Sequence, residues 1–81
     1  MTSKLINWSY SDVTDFLKEN DFTFSEDLGD MQVWVKLNAE GEPATFVEVG
    51  FRKDAYPIRK LRKIIRQSEI SEKVWTEWAG L

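Results

Sequence analysis

Apolar residues recur at helical spacing between Tyr10 and Asn20. Tyr10, Val13, Phe16 and Leu17 share one side, and Asp12, Asp15, Lys18 and Glu19 take the other. The preceding Ser9-Tyr10-Ser11-Asp12 predicts a capping box, in which the Ser9 hydroxyl satisfies an orphan N–H and Asp12 reaches back. Asp12 and Asp15 also stand where the helix dipole favours negative charge. Asn20-Asp21 predicts the stop, and Trp8, just before the cap, is a staple that packs back onto the helix. The period then changes from helical to alternating. Phe22-Thr23-Phe24 reads as a short strand, and residues 25–30, SEDLGD, read as an acidic turn with Gly29 as its positive-φ residue. From Met31 to Leu37 the alternation is clear, with Met31, Val33, Val35 and Leu37 on one face and Gln32, Trp34 and Lys36 on the other. Residues 38–43, NAEGEP, close a hairpin. Thr45 to Phe51 forms the next strand, with Val47, Val49 and Phe51 facing one way and Phe46 and Glu48 the other.

Pro57 suits the first turn of a second helix, because its missing N–H costs nothing there. Ile58, Leu61, Ile64 and Ile65 make one apolar stripe through about Gln67, and Ser71 is placed to cap a last short helix holding Val74, Trp75 and Trp78. The order α-β-β-β-α-α predicts an α+β domain, a three-stranded antiparallel sheet with helices packed on one face. No repeat or internal linker interrupts it, so residues 1–81 form a single domain.

Composition narrows the chemistry. The chain has 81 residues, 42% of them hydrophobic and 14% aromatic, enough for a modest core helped by four tryptophans. Cysteine is absent, which removes disulfides and thiolate metal sites. Histidine is absent too, which removes the commonest general base and the commonest neutral metal ligand together. No cofactor or metal is therefore expected. The acidic group Glu26, Asp27 and Asp30 reads as a solvated turn, being too short to surround a cation with oxygens. No stretch approaches the roughly 20 apolar residues of a membrane span, so a cytoplasmic location with no membrane partner is expected.

Charge is strongly segregated. Residues 52–66 hold seven of the eleven basic side chains against Asp54 alone, whereas residues 1–51 hold three basic and ten acidic ones. Arg59, Lys60, Arg62, Lys63 and Arg66 fill most of the arc opposite the apolar stripe of the second helix. Such a face attracts phosphates, the more so near a helix start. Arg52 and Lys53 extend it into the preceding loop.

A helix followed by "NDFTF", a glycine-containing turn, two strands and the basic helix "PIRKLRKIIRQSEIS" resembles the HicA-type mRNA interferase toxins. These are small domains with a double-stranded-RNA-binding-domain-like fold. The resemblance covers roughly residues 9–78 and is strongest over Leu61–Ser71, LRKIIRQSEIS. It implies that fold, a toxin–antitoxin origin, an RNA-binding surface and an antitoxin-like protein partner. The family places a histidine just after the glycine that opens the second strand. Here the run is Gly29-Asp30-Met31-Gln32, where Met31 cannot exchange a proton and the Gln32 amide does not titrate. Ribonuclease activity is therefore not expected to carry over, unless a relocated base such as Asp30 serves.

Two functions follow. In the first, a non-catalytic domain binds RNA weakly, non-specifically and salt-sensitively through Arg52, Lys53, Arg59, Lys60, Arg62, Lys63 and Arg66. In the second it is a protein-interaction module, a homodimer or the partner of an antitoxin-like chain, anchored by Trp34, Phe46, Trp75 and Trp78. Trp34 and Phe46 would then lie together on the outward sheet face, where they could also stack on unpaired bases, and Trp75 and Trp78, at i and i+3, are placed to cover them.

Overall fold

A computed structural model of the chain describes residues 7–79; residues 1–6 and 80–81, the ends of the predicted domain, lie outside the described residues. The observed order is α1 (Tyr10–Glu19), β1 (Phe22–Asp27), β2 (Met31–Leu37), β3 (Pro43–Gly50), α2 (Ile58–Ser68) and α3 (Glu72–Ala79). The fold is α+β, as the pattern predicts. The three strands pair antiparallel in the order β1-β2-β3.

The capping box forms as predicted. The Asp12 N–H donates to Ser9 Oγ at 3.1 Å, and the Ser9 N–H donates to the Asp12 carboxylate at 2.9 Å. Asn20 ends the helix, its side-chain amide donating to the Phe16 carbonyl at 2.8 Å, and Asp21 turns the chain at φ +71°. β1 runs three residues past the predicted Phe22–Phe24, because the first half of the acidic stretch stays paired with β2 beyond a bulge between Phe24 and Glu26. The turn itself is tighter than predicted. The Leu28 N–H donates to the Met31 carbonyl at 2.7 Å, Asp27 accepts the Gly29 N–H at 2.8 Å, and Gly29 takes φ +100°. At the next turn the Asn38 side-chain oxygen accepts the N–H groups of Glu40 and Glu42 at 2.9 and 3.0 Å. β3 starts at Pro43, which a strand tolerates at its first residue, and stops at Gly50, so Phe51 lies past its end.

The sheet register corrects one expectation. Trp34 pairs with Val47 and Val35 pairs with Phe46, so Trp34 and Phe46 point to opposite faces. The helices cover the Trp34 face, where Phe22, Trp34, Val47 and Val49 pack with Val13, Phe16 and Leu17 of α1 and Leu61, Ile64 and Ile65 of α2. Two β3 valines and an aromatic residue of β1 on that face outweigh the apolar run of β2 taken alone. The Met31, Val33, Val35 and Leu37 face is the outward one, with Leu37 and Phe46 about half exposed and only Val35 buried.

Trp75 and Trp78 do not cover the sheet's outward face either. Trp75 is fully buried and stacks on Phe16 with ring centres 3.8 Å apart, and Trp78 stacks on Trp8 at 5.4 Å. The Trp78 indole N–H donates to Glu19 at 3.0 Å, which fixes α3 across the end of α1. Trp8, the predicted staple, is buried against Phe16 and Trp75. The α2–α3 step is organised by one buried hydroxyl. Ser68 Oγ donates to the Ile65 carbonyl at 2.6 Å and accepts from the Ile70 N–H and the Trp75 indole N–H at 3.1 and 3.2 Å. A buried hydroxyl with all its bonds made carries no desolvation penalty.

Candidate nucleic-acid interface

Pro57 occupies the N-cap of α2, one residue before the helix rather than inside its first turn, with φ −60° and ψ 149°. Proline offers no capping side chain, and the first turn holds no acidic residue. Arg59 and Lys60 instead stand at the second and third helical positions. Cations there oppose the helix dipole, at about 0.3–1 kcal/mol each. The start of α2 thus adds the charges of Arg59 and Lys60 to the positive end of its own dipole.

All five predicted helix cations are exposed. Among the described residues the one ion pair is Arg62 with Glu72 of α3, at 3.5 Å, both side chains well exposed. The acidic residues of α1 do not pair with the basic face. The predicted set also divides in space. Arg52, Lys60 and Lys63 line a cleft between the end of β3 and α2, with a volume of about 280 Å³. Arg62 and Arg66 line a shallower groove against Glu69, Ile70 and Glu72. Arg59 and Lys53 are exposed and line neither.

The cleft gathers residues that the sequence reading treated separately. Met31 lines it where the family resemblance expects histidine, and Asp30 stands beside it. Gln32, the other such position, is engaged elsewhere, its side-chain oxygen accepting from the Tyr10 hydroxyl and, at 3.3 Å, from the Trp34 indole N–H. Glu48 lies on the β3 side of the cleft. Its N–H donates to the Gln67 side-chain oxygen at 2.9 Å and its carboxylate accepts from the Gln67 amide at 3.2 Å, which ties α2 to the edge strand.

Tyr56 is buried in the same wall. Its N–H donates to the Trp8 carbonyl at 2.9 Å and its hydroxyl donates to the Gly50 carbonyl. Burial, helped by nearby Tyr10 and opposed by Arg52, pushes the phenol from 10.0 up to about 12, so it stays protonated near neutral pH. Arg52 Nε is buried without a hydrogen-bond acceptor among the described residues. A buried charged donor without a partner is costly, and this one belongs to a side chain that lines the cleft.

Phe51, Tyr56 and Glu48 are among the cleft residues that sequence reasoning did not select. Phe51 is 63% exposed, with the Tyr10 ring standing edge-on 5.1 Å away. Its signal was available: an aromatic one residue past a glycine and directly before Arg52-Lys53. The predicted interface aromatics fare differently. Trp34 and Trp75 are buried, Trp78 is half-buried, and Phe46 alone of the four is well exposed.

Among the described residues no group of three or more carboxylates could hold a metal ion, and no helix is long and apolar enough to cross a membrane. No family model, curated protein or solved structure matches the chain.

Proposed function

We propose that this chain is a non-catalytic RNA-binding domain that grips phosphates through the exposed face of α2, with little sequence preference. One observation carries the reading: Arg59, Lys60, Lys63 and Arg66 stand exposed with no carboxylate within 4.0 Å among the described residues. Charged helix faces that serve only solubility are commonly laced with opposite charge; α2 carries no acidic residue between Ile58 and Ser68, its one ion pair among the described residues is Arg62 with Glu72 of α3, and the face includes the helix start, where cations oppose the dipole. The α-β-β-β-α order and the basic helix are also those of the HicA-type toxins the sequence resembles. The reading is of binding because Met31 and Gln32 stand where the resemblance expects histidine, and the chain has none.

Fluorescence anisotropy with a labelled short RNA, at low and near-physiological salt, tests it. Binding should fall steeply with salt, and Lys60→Ala with Lys63→Ala should weaken it and flatten the salt slope. A salt dependence unchanged in the double variant would overturn the assignment.

A second reading, a protein partner on the outward sheet face, is favoured by the apolar row Val33, Val35, Leu37 and Phe46. The occupant would be a second copy or an antitoxin-like chain. A solution mass above that of the monomer by light scattering, lost in Phe46→Glu, would support the second copy.

A further inference from the structure

The geometry points to a single-nucleotide seat: the cleft between β3 and α2 takes one unpaired nucleotide of single-stranded RNA, its base stacked on Phe51 and its phosphate held by Arg52, Lys60 and Lys63. This rests on the RNA-binding reading and narrows it, from phosphates in general to a strand with unpaired bases.

Three independent features converge on the site. The first is its size. A volume of about 280 Å³ lies just below the roughly 300–1,000 Å³ of small-molecule pockets, and suits one nucleotide rather than a duplex segment. The second is Phe51. It leaves 63% of its surface in water at the cleft's edge, although the core lies close by. Tyr10 fixes the ring from one side at 5.1 Å, and Tyr10 is itself held by its hydroxyl's bond to Gln32. A ring anchored and exposed in this way is a platform for a base, since every base has a π-face.

The third is the cationic wall. Lys60 and Lys63 are three residues apart on α2 and so share a face, and Arg52 lines the cleft beside them. Three cationic side chains in one lining attract a phosphate. The two carboxylates in the lining repel a phosphate and so leave it the side of the cleft away from them. Glu48 is engaged by the Gln67 amide, and Asp30, on the turn before β2, leaves the α2 side as the favourable one. Bases inside a duplex are stacked on one another and cannot reach Phe51, whereas bases of a single strand can be splayed onto it.

The test compares a short fluorescein-labelled single-stranded RNA with the duplex of the same sequence, by anisotropy at low salt. The proteins are wild type, Phe51→Ala, Phe51→Trp and the Lys60→Ala/Lys63→Ala double variant. Wild type should bind the single strand more tightly than the duplex. Phe51→Ala should weaken single-strand binding roughly ten-fold, as expected for the loss of one stacked base, with duplex binding unchanged. Phe51→Trp should restore it, and the double lysine variant should weaken both. Phe51 packs outside the core, so circular dichroism should be the same for all variants. RNA binding that loses affinity in the lysine variant but is indifferent to Phe51→Ala overturns the nucleotide seat and leaves the basic-helix reading standing. Absence of binding to either RNA by wild type overturns both.

Discussion

The two longer helices begin in opposite ways. α1 starts with a serine cap and a reciprocal aspartate, so two of its orphan N–H groups are satisfied by its own sequence and a negative charge sits at the positive end of its dipole. α2 starts with a proline that caps nothing, carries no acidic residue in its first turn, and puts Arg59 and Lys60 where cations cost stability. Both helices bury an apolar stripe against the same sheet face. The difference therefore concerns what each end does once folded. Sequences that break a local rule without a structural return tend to do so at functional sites. On the proposed reading, the α1 end with its aromatic cluster serves stability and the start of α2 serves phosphate binding.

The largest effect should come from breaking the α1 side. Trp75 is fully buried, stacked on Phe16 and bonded to Ser68. Trp75→Ala should cost about 3–5 kcal/mol, the range for deleting a core aromatic, and leave the Ser68 hydroxyl short of a partner. In a domain of this size that approaches the whole stability, so urea denaturation should show a folded baseline shortened or absent. The matching change on the α2 side should have the reverse signature. Lys60→Ala with Lys63→Ala should weaken RNA binding by about ten-fold or more, equivalent to at least about 1.4 kcal/mol, at low salt. It should leave the urea midpoint unchanged or slightly raised, because Lys60 opposes the dipole. A double variant that unfolds the protein would show that the basic face is structural, and the comparison between the two ends would fail.

How far the sequence carried this picture follows from the range of each signal. The capping box, the Gly29 turn, the helix periods and the basic arc are local, and each is formed by residues within a few positions of one another. The side of the sheet that meets the helices is not local. β2 read alone puts its aliphatic residues together, and only the pairing of Trp34 with Val47 shows that Trp34 belongs with the buried valines of β3. The tryptophans misled for the same reason. Trp75 finds its partner in Phe16, 59 positions away, and such a pairing leaves no trace in periodicity. The cleft is the least legible feature, since it is assembled from the turn before β2, the end of β3, the loop at Tyr56 and one face of α2. The basic residues that line it were visible, and Phe51 between Gly50 and Arg52-Lys53 was open to notice, but the burial of Arg52 Nε had no sequence signature of its own.

Smaller effects sharpen the contrast at each end. Ser9→Ala removes the α1 cap and should cost about 0.5–2 kcal/mol in urea denaturation, with RNA affinity unaltered. Tyr56→Phe removes the hydroxyl's bond to Gly50 and should cost about 0.5–1.5 kcal/mol near neutral pH. It also alters the alkaline limb. Between pH 10 and 12 the unfolded chain's phenol has lost its proton while the folded one keeps it. The unfolded state then binds fewer protons, so the phenol's contribution is complete below its unfolded value and declines as pH rises toward about 12. Stability of wild type should therefore fall more steeply than that of Tyr56→Phe across this window. Parallel curves would mean that the phenol is not protected.

The smallest expected effect tests where the binding face ends. Among the described residues Arg62 is the one α2 cation with a carboxylate partner, Glu72 at 3.5 Å, and it lines the shallow groove toward α3 rather than the cleft. An exposed pair of this kind contributes about 0.2–1 kcal/mol, and Glu72 also sits in the first turn of α3, where its charge suits the dipole. Glu72→Gln should thus lower stability slightly while releasing Arg62 to join the other four cations of α2. If RNA tracks along the whole helix, the released guanidinium gains a phosphate. Affinity should then rise, and the slope of log affinity against log salt should steepen by up to about 0.7, the value for one phosphate on a single strand. If RNA enters only the cleft at the start of α2, the slope should stay the same although the stability loss is still present. The second result would confine the interface to the cationic start of the helix and make the contrast with α1 a property of two helix ends rather than of two helix faces.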